Sequence, residues 1–421
     1  MAKGRDRFML GAATAAHQVE GNNRNSDCWA MEQMAHSAFV EPSLDAVDHY
    51  NRYQEDIDYL AGAGLNAYRF SIEWARIEPE KGKYDETEVR HYRDVLNYCR
   101  KKGIEPMVTM HHFSSPRWLM KEGGWEAEST AEAFADYCAY VSEKLGDLML
   151  YVCTINEANM GFQLSAMMQA IMKQMEANLQ IGMNLPSRES AEEERKETET
   201  VFGTDRINPF LSPRTEEGDR IIMRAHEKAR DAMKRLCPHL KIGITMSLFD
   251  VQTAAGGEAA AEKEWADEFG RYVPYIRKDD FFGLQNYTRK VIGREGTLPA
   301  PAGAELTQMD YEFYPKSLGN VVRRVYAELG IPIVITENGV ATEDDARRIV
   351  FVGEALECVK ECLEEGIPVE GYFYWSLLDN FEWQKGFGKQ FGLIAVDRKT
   401  QKRYPKESLG YMGRLREQMK L

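Results

Sequence analysis

No stretch of these 421 residues approaches the roughly 18 consecutive apolar side chains of a membrane span. An excess of base is also missing: 53 Lys and Arg stand against 67 Asp and Glu, a net charge of −14. Nucleic acid and anionic membrane are therefore disfavoured as partners, and the acidic surface needs no explanation beyond solubility. Paired cysteines are lacking too. The seven present are odd in number and scattered, with no CxxC among them, which argues against a disulfide framework and against a zinc site. Cys358 and Cys362, four apart on an expected helix, read as packing. Thiols used this freely fit a reducing compartment, so a cytoplasmic location is expected. Lys3, Arg5 and Arg7 precede an apolar stretch from Phe8 to Ala13. That stretch is too short for a signal peptide and reads as a first strand.

Three motifs are absent or miscast. Gly62-Ala63-Gly64-Leu65-Asn66-Ala67 resembles a dinucleotide loop but follows a helix and precedes a strand, the wrong order. There is no HExxH, and the adjacent His111 and His112 point to opposite sides of a strand, so no metal site is expected. No GxSxG elbow supports a serine hydrolase.

What is present is a regular alternation. Strand-like runs fall at 8–12, 67–70, 106–111, 151–156, 241–246, 281–285, 333–336 and 369–375. Amphipathic runs at 53–63, 89–102, 131–145, 219–236, 318–329 and 346–365 precede most of them. Gly64, Gly103, Gly330 and Gly366 stand between helix and strand, where a helix C-terminal glycine belongs. Eight such units without a break in composition predict one (β/α)8 barrel over residues 1–421. A doubly wound sheet with a second domain is the alternative. Residues 160–200 depart from the rhythm. Met160, Met167, Met168, Met172, Met175 and Met183 lead into a charged run from Glu192 to Glu197. Methionines at helical spacing usually mean core and charged runs usually mean a solvated face. The sharper reading is a lid whose methionines wall a pocket, because the segment follows directly on Glu157.

Glu157 ends the apolar run from Leu150 to Asn156, and Glu337 ends the run from Ile331 to Thr336. These are the fourth and seventh strands, and a parallel barrel gathers its strand C-terminal ends on one face, where chemistry sits. Either carboxylate alone could simply cap a helix. Together they are the equipment for cutting a glycosidic bond: one ionised to attack, one protonated to donate. Arg69, in Tyr68-Arg69-Phe70-Ser71, is an arginine in an apolar strand and must have a partner. Beside the attacking carboxylate it would hold that group ionised, and the resulting charge would raise the pKa of the other. Other strand ends carry Gln18 and Glu20, His111 to Phe113, Gln285 to Tyr287, Trp375, and Asp379 to Trp383. Such mixtures of hydrogen bonders and flat aromatics suit the rim and faces of a sugar.

The stretches 11–21 and 68–74, Thr154-Ile155-Asn156-Glu157, Thr336-Glu337-Asn338-Gly339 and Trp375 to Trp383 together resemble glycoside hydrolase family 1, the β-glucosidase family, over 8–159 and 281–409. The resemblance implies a (β/α)8 barrel that hydrolyses β-glycosides with retention and needs no cofactor. It puts Glu337 on the nucleophile and Glu157 on the acid/base. It also puts Gln18, His112, Asn156, Glu382 and Trp383 on positions that hold the non-reducing sugar, Trp375 on the platform beneath it, and Tyr287 on the tyrosine that bonds the nucleophile. Ala158 stands where a proline is usual, an exchange expected to relax the backbone. Gln285-Asn286, Phe113 and His17 also depart from the pattern. The expected substrate is an unphosphorylated β-glucoside, since a carboxylate at Glu382 would repel a 6-phosphate. A 6-phospho-β-glycosidase using Lys385 and Lys389 is the alternative within the family. A non-catalytic sugar- or protein-binding barrel is the alternative outside it. The sequence leaves room for a homo-oligomer.

Overall fold

The computed structural model describes residues 8–177 and 188–419. Its strands run β1 (Met9–Ala13), β2 (Ala67–Ser71), β3 (Glu105–His111), β4 (Tyr151–Ile155), β5 (Lys241–Gly243), β6 (Thr245–Ser247), β7 (Asp250–Thr253), β8 (Phe282–Gln285), β9 (Arg289–Gly293), β10 (Gly296–Thr297), β11 (Ile333–Asn338), β12 (Val369–Trp375), β13 (Ile394–Val396) and β14 (Arg403–Pro405). The main sheet has the order β5-β4-β3-β2-β1-β12-β11-β8-β6, with every pairing parallel. β5 and β6 are one stretch of chain interrupted at Ile244; β5 pairs with β4 and β6 with β8. The sheet therefore closes into the expected barrel. The break at Ile244 was not expected from the continuous apolar run. Neither were the small sheet β10-β9-β7 and the antiparallel pair β13-β14.

The helices His49–Gly62, Glu86–Lys101, Ser129–Leu145, Glu216–Leu236, Ser317–Leu329 and Asp345–Glu364 coincide with the amphipathic runs but start earlier. Their first turns are polar and so fall outside the apolar period. Asp85 accepts from the N–H groups of Thr87 and Glu88, Thr215 from Gly218, and Asp344 from Ala346, each satisfying donors that a helix start leaves open.

Alternation along the strands separates two apolar layers. Leu10, Ile335, Tyr372 and Tyr374 pack outward in the main core. Met9, Val334, Phe373 and Trp375 pack inside the barrel. On β2, Tyr68 joins the outer layer, so the neighbouring Arg69 points inward, fully buried. The C-terminal part of the chain is tied back to the helix His49–Gly62. Arg403 grips Asp56 through Nε at 2.8 Å and Nη2 at 2.9 Å, and His49 Nδ1 lies 2.7 Å from the same carboxylate. Among the described residues no helix is long and apolar enough to cross a membrane.

The inserted segment begins with the helix Met160–Ala177 and resumes with Arg188–Phe202, which carries the charged run. Met167 and Met168 are about half exposed, at 54% and 45%, so they are not core. Met183 lies outside the described residues.

Candidate active site

β11 would by simple alternation turn Glu337 outward, on the side of Ile333 and Ile335. Its pairing with β8 shifts register between Ile335 and Glu337, and that with β12 shifts between Ile335 and Asn338. Such irregularities re-aim a side chain. Glu337 turns into the barrel and is 2% exposed. Arg69 Nη1 donates to its Oε1 at 2.5 Å and the Tyr287 hydroxyl to its Oε2 at 2.5 Å. Burial pushes the Glu337 carboxyl up, while Arg69 and Tyr287 oppose the rise.

Glu157 follows β4 with φ +45°, a left-handed conformation uncommon outside glycine. Thr245 of β6 holds it there. The Glu157 N–H donates to Thr245 Oγ1 at 3.1 Å, and the Ala158 N–H donates to Thr245 O at 3.0 Å. A proline at 158 could not make the second bond, so alanine adds a tether rather than relaxing the backbone. The Glu157 carboxyl has no hydrogen-bond partner among the described residues. Burial, then the charges of Glu337 and Glu382, push it well above the ordinary carboxylate range. The two carboxyls therefore occupy unlike environments in one cavity of about 380 Å³.

Asn156 links the pair from below. Its Oδ1 accepts from Arg69 Nη2 at 2.5 Å, Gln285 Nε2 at 2.7 Å and Thr245 Oγ1 at 3.1 Å, leaving Nδ2 beside His112 Nε2 at 3.2 Å. His112 is held neutral by burial and by the nearby charge of Arg69. Its ring stacks at 5.6 Å on Trp375 and at 6.3 Å on Trp383. Its Nδ1 and the buried Gln18 Oε1 find no partner among the described residues, as groups awaiting a polar ligand would. Gln18 Nε2 donates to Phe381 O at 2.7 Å and reaches Glu382 Oε2 at 3.5 Å. Burial and the Glu337 charge push Glu382 up to about 8.

All the candidate residues are thus brought together: His112, Glu157, Tyr287, Glu337, Trp375 and Trp383 line the cavity with Glu382, and Arg69, Asn156 and Gln18 support it. Some neighbouring strand-end residues are not. Glu20 turns away to Arg76 at 2.8 Å and Tyr92 at 3.0 Å. His111 lies on the other side of β3, 3.0 Å from Ser115 Oγ. Asn286 donates to the carbonyls of Leu248 and Thr288, and Asp379 pairs with Lys406. The sequence reading missed Thr245 and the cavity-lining Leu164, Phe249 and Met309. A threonine in a strand carries no mark of such a role.

A closed parallel barrel whose strand ends bring one arginine-bound and one unpaired carboxyl to a cavity walled by indole rings is a glycoside hydrolase in its design. The comparison with known proteins narrows this: the chain belongs to glycosyl hydrolase family 1, whose description matches residues 2–420. It is 31% identical over 446 residues to beta-glucosidase A of Thermotoga maritima, covering 96% of this chain and 95% of that protein. It is 26% identical over 487 residues to the 6-phospho-beta-galactosidase of Clostridium acetobutylicum, covering 98% and 97%. Among solved structures, beta-glycosidase BGL167 superposes with a TM-score of 0.89 at 44% identity, over 99% of this chain and 97% of that one.

Proposed function

We propose that this protein is a retaining β-glucosidase acting on unphosphorylated β-glucosides, with Glu337 as nucleophile and Glu157 as general acid and base. The observation that carries the assignment is the asymmetry of the two carboxyls. Arg69 and Tyr287 each bond one oxygen of Glu337, which favours the ionised form, whereas Glu157 has no cation against it and is pushed toward the protonated form. In the first step a Glu337 oxygen attacks the anomeric carbon as the bond to the leaving oxygen breaks, and Glu157 donates its proton to that oxygen. The glycosyl ester neutralises Glu337, so Glu157 loses a repelling charge and remains as carboxylate. In the second step Glu157 takes a proton from water, the water oxygen attacks the anomeric carbon, and Glu337 departs as carboxylate, restoring the β configuration.

The case against a 6-phosphate differs from the one expected. Burial and the Glu337 charge push the Glu382 carboxyl up to about 8, so the charge repulsion expected against a 6-phosphate is weakened near pH 7. The cations are the better guide: Lys389 Nζ donates to Gln308 O at 2.5 Å, and Lys385 sits exposed at the cavity mouth. The unpaired thiols support a reducing, cytoplasmic setting.

Release of nitrophenol from β-glucoside, β-galactoside, β-fucoside, β-xyloside and β-glucoside 6-phosphate tests the reading, with Glu337→Gln as control. Glucoside cleavage that the control abolishes is expected. Activity on the phosphorylated sugar alone would overturn the glycone assignment. Glu157→Gln should hurt substrates with poor leaving groups most, and azide should rescue Glu157→Ala as a β-azide; equal loss across leaving groups would count against Glu157.

A further inference from the structure

A buried ion pair stands behind the catalytic cavity and has no part in the two steps above. His17, on the short helix Ala16–Val19 and one residue before Gln18, is 1% exposed. Its Nε2 lies 2.6 Å from Glu32 Oε1. The other Glu32 oxygen accepts from the Ser43 N–H at 2.9 Å and from the Ser43 hydroxyl at 2.6 Å. The His17 ring lies flat against the Trp383 indole, with centroids 5.6 Å apart and planes 8° from parallel. Phe113 at 5.1 Å and His112 at 6.3 Å are the further rings against that indole. Trp383 itself has a left-handed φ of +47°, a conformation that persists only where the surroundings enforce it. Burial alone would lower the His17 pKa, but the hydrogen bond and charge of Glu32 prevail and raise it, with Glu73 and Asp27 adding to the pull. Burial pushes Asp27 itself up to about 7. Burial also works to raise Glu32, yet His17 and Ser43 hold it below the ordinary carboxylate value. The Asn23 amide, 3.0 Å from His17 Nδ1, can turn either its N–H or its oxygen to that nitrogen. The pocket thus accommodates the ring with or without the second proton.

We propose that His17 is a positioning residue for Trp383: its imidazolium, clamped by Glu32, fixes the indole from behind and so strengthens the hold on the glycone without touching it. This rests on the β-glucosidase reading above, in which Trp383 holds the non-reducing sugar. A cation within about 6 Å of an indole centroid is attracted to its face, the more so when both are dry. Loss of the second proton leaves the His17 ring stacked but removes that attraction. The hold on the sugar is therefore strongest below the His17 pKa and weakens as pH rises through it. A tyrosine at position 17 could still stack on the indole and bond Glu32, but it would carry no positive charge. Histidine there adds a charge behind the wall of the cavity rather than a contact to the sugar.

The test follows the His17 ring itself by NMR titration of histidine-labelled protein, the signal being assigned by its loss in His17→Tyr. Saturation with glucose should move the His17 titration to higher pH, in proportion to a roughly threefold tighter binding of glucose to the charged form, since coupling between two binding events is reciprocal. Trp383→Leu removes the indole, so the titration should move to lower pH and glucose should no longer shift it. In parallel, kcat/KM on nitrophenyl β-glucoside should fall about fivefold in His17→Tyr at pH values below the His17 pKa. That gap to the wild type should close as pH rises through it. Glu32→Gln, which keeps His17 but removes its anion, should lower the His17 pKa and reproduce the loss at neutral pH. A gap independent of pH, or a His17 titration indifferent to both glucose and Trp383→Leu, would reduce His17 to packing and overturn the proposal while the β-glucosidase reading stands. If no glucoside is cleaved and glucose does not bind, that reading fails instead. Trp383→Leu then still decides the coupling: a fall in the His17 pKa upholds it, and an unchanged titration overturns it.

Discussion

Tyr287 and Arg69 hold opposite oxygens of Glu337, so removing one leaves the other in place and the effects can be separated. Tyr287→Phe deletes a bond that favours the ionised carboxylate, so the Glu337 pKa rises. The acidic limb of kcat/KM should move to higher pH, and kcat should fall roughly ten- to a hundredfold, the worth of one hydrogen bond to a charged group. An acidic limb that stays put would remove Tyr287 from this role. The coupling also runs from Glu337 to Glu157. Glu337 raises Glu157 by its charge, so Glu337→Gln should lower the Glu157 pKa, as read by NMR titration of labelled glutamate. An unchanged titration would assign the elevation to burial and Glu382. Arg69 was legible in the sequence because a buried guanidinium demands a partner. Glu20 was misread because polarity at a strand end does not say which way the chain turns next. Here the short helix Ala16–Val19 carries it away from the cavity.

Between β4 and β6 the decisive contact is one hydroxyl. Thr245 Oγ1 accepts from the Glu157 N–H and donates to Asn156 Oδ1. Thr245→Val keeps the shape but deletes both bonds, leaving a buried N–H unpaired. It should cost about 1–3 kcal/mol of stability and on the order of tenfold in kcat, measured by denaturant unfolding beside turnover; full activity would show that Glu157 does not rely on it. The barrel itself was readable because eight apolar runs alternate with amphipathic ones. The break at Ile244 and the turn of Glu337 into the barrel were not. Both are register events set by the pairing of one strand with its neighbours, and a single strand's residues do not encode its partner's offset. The exposure of Met167 and Met168 was likewise hidden, because methionine spacing alone does not tell a core face from a cavity rim.

At the scale of the molecule, Arg403 near one end of the chain and Asp56 near the other form a fully buried pair. Burial alone would raise Asp56, but Arg403 and His49 prevail and hold it below its ordinary value. A carboxylate depressed on folding stabilises above its unfolded pKa of about 3.9, and that stability is lost as pH falls through the folded value. Asp56→Asn should therefore cost about 3–5 kcal/mol at pH 7, chiefly because Arg403 is left buried and unpaired. Denaturant unfolding of wild type and variant at pH 7 and pH 3 should show the gap narrowing at the lower pH. A gap independent of pH would place the loss in packing instead.

The closure of the barrel has a further consequence. β1 to β6 bring Arg69, His112 and Glu157, whereas β8 to β12 bring Tyr287, Glu337 and Trp375. The two groups meet only where β6 zips to β8 and β12 to β1. A growing chain thus carries half a reaction until the last barrel strand is made, and neither half can hydrolyse anything by itself. Cut between Ser247 and Phe282 and expressed as two fragments, the protein would be a reporter: sugar release would count only those fragments that had found each other.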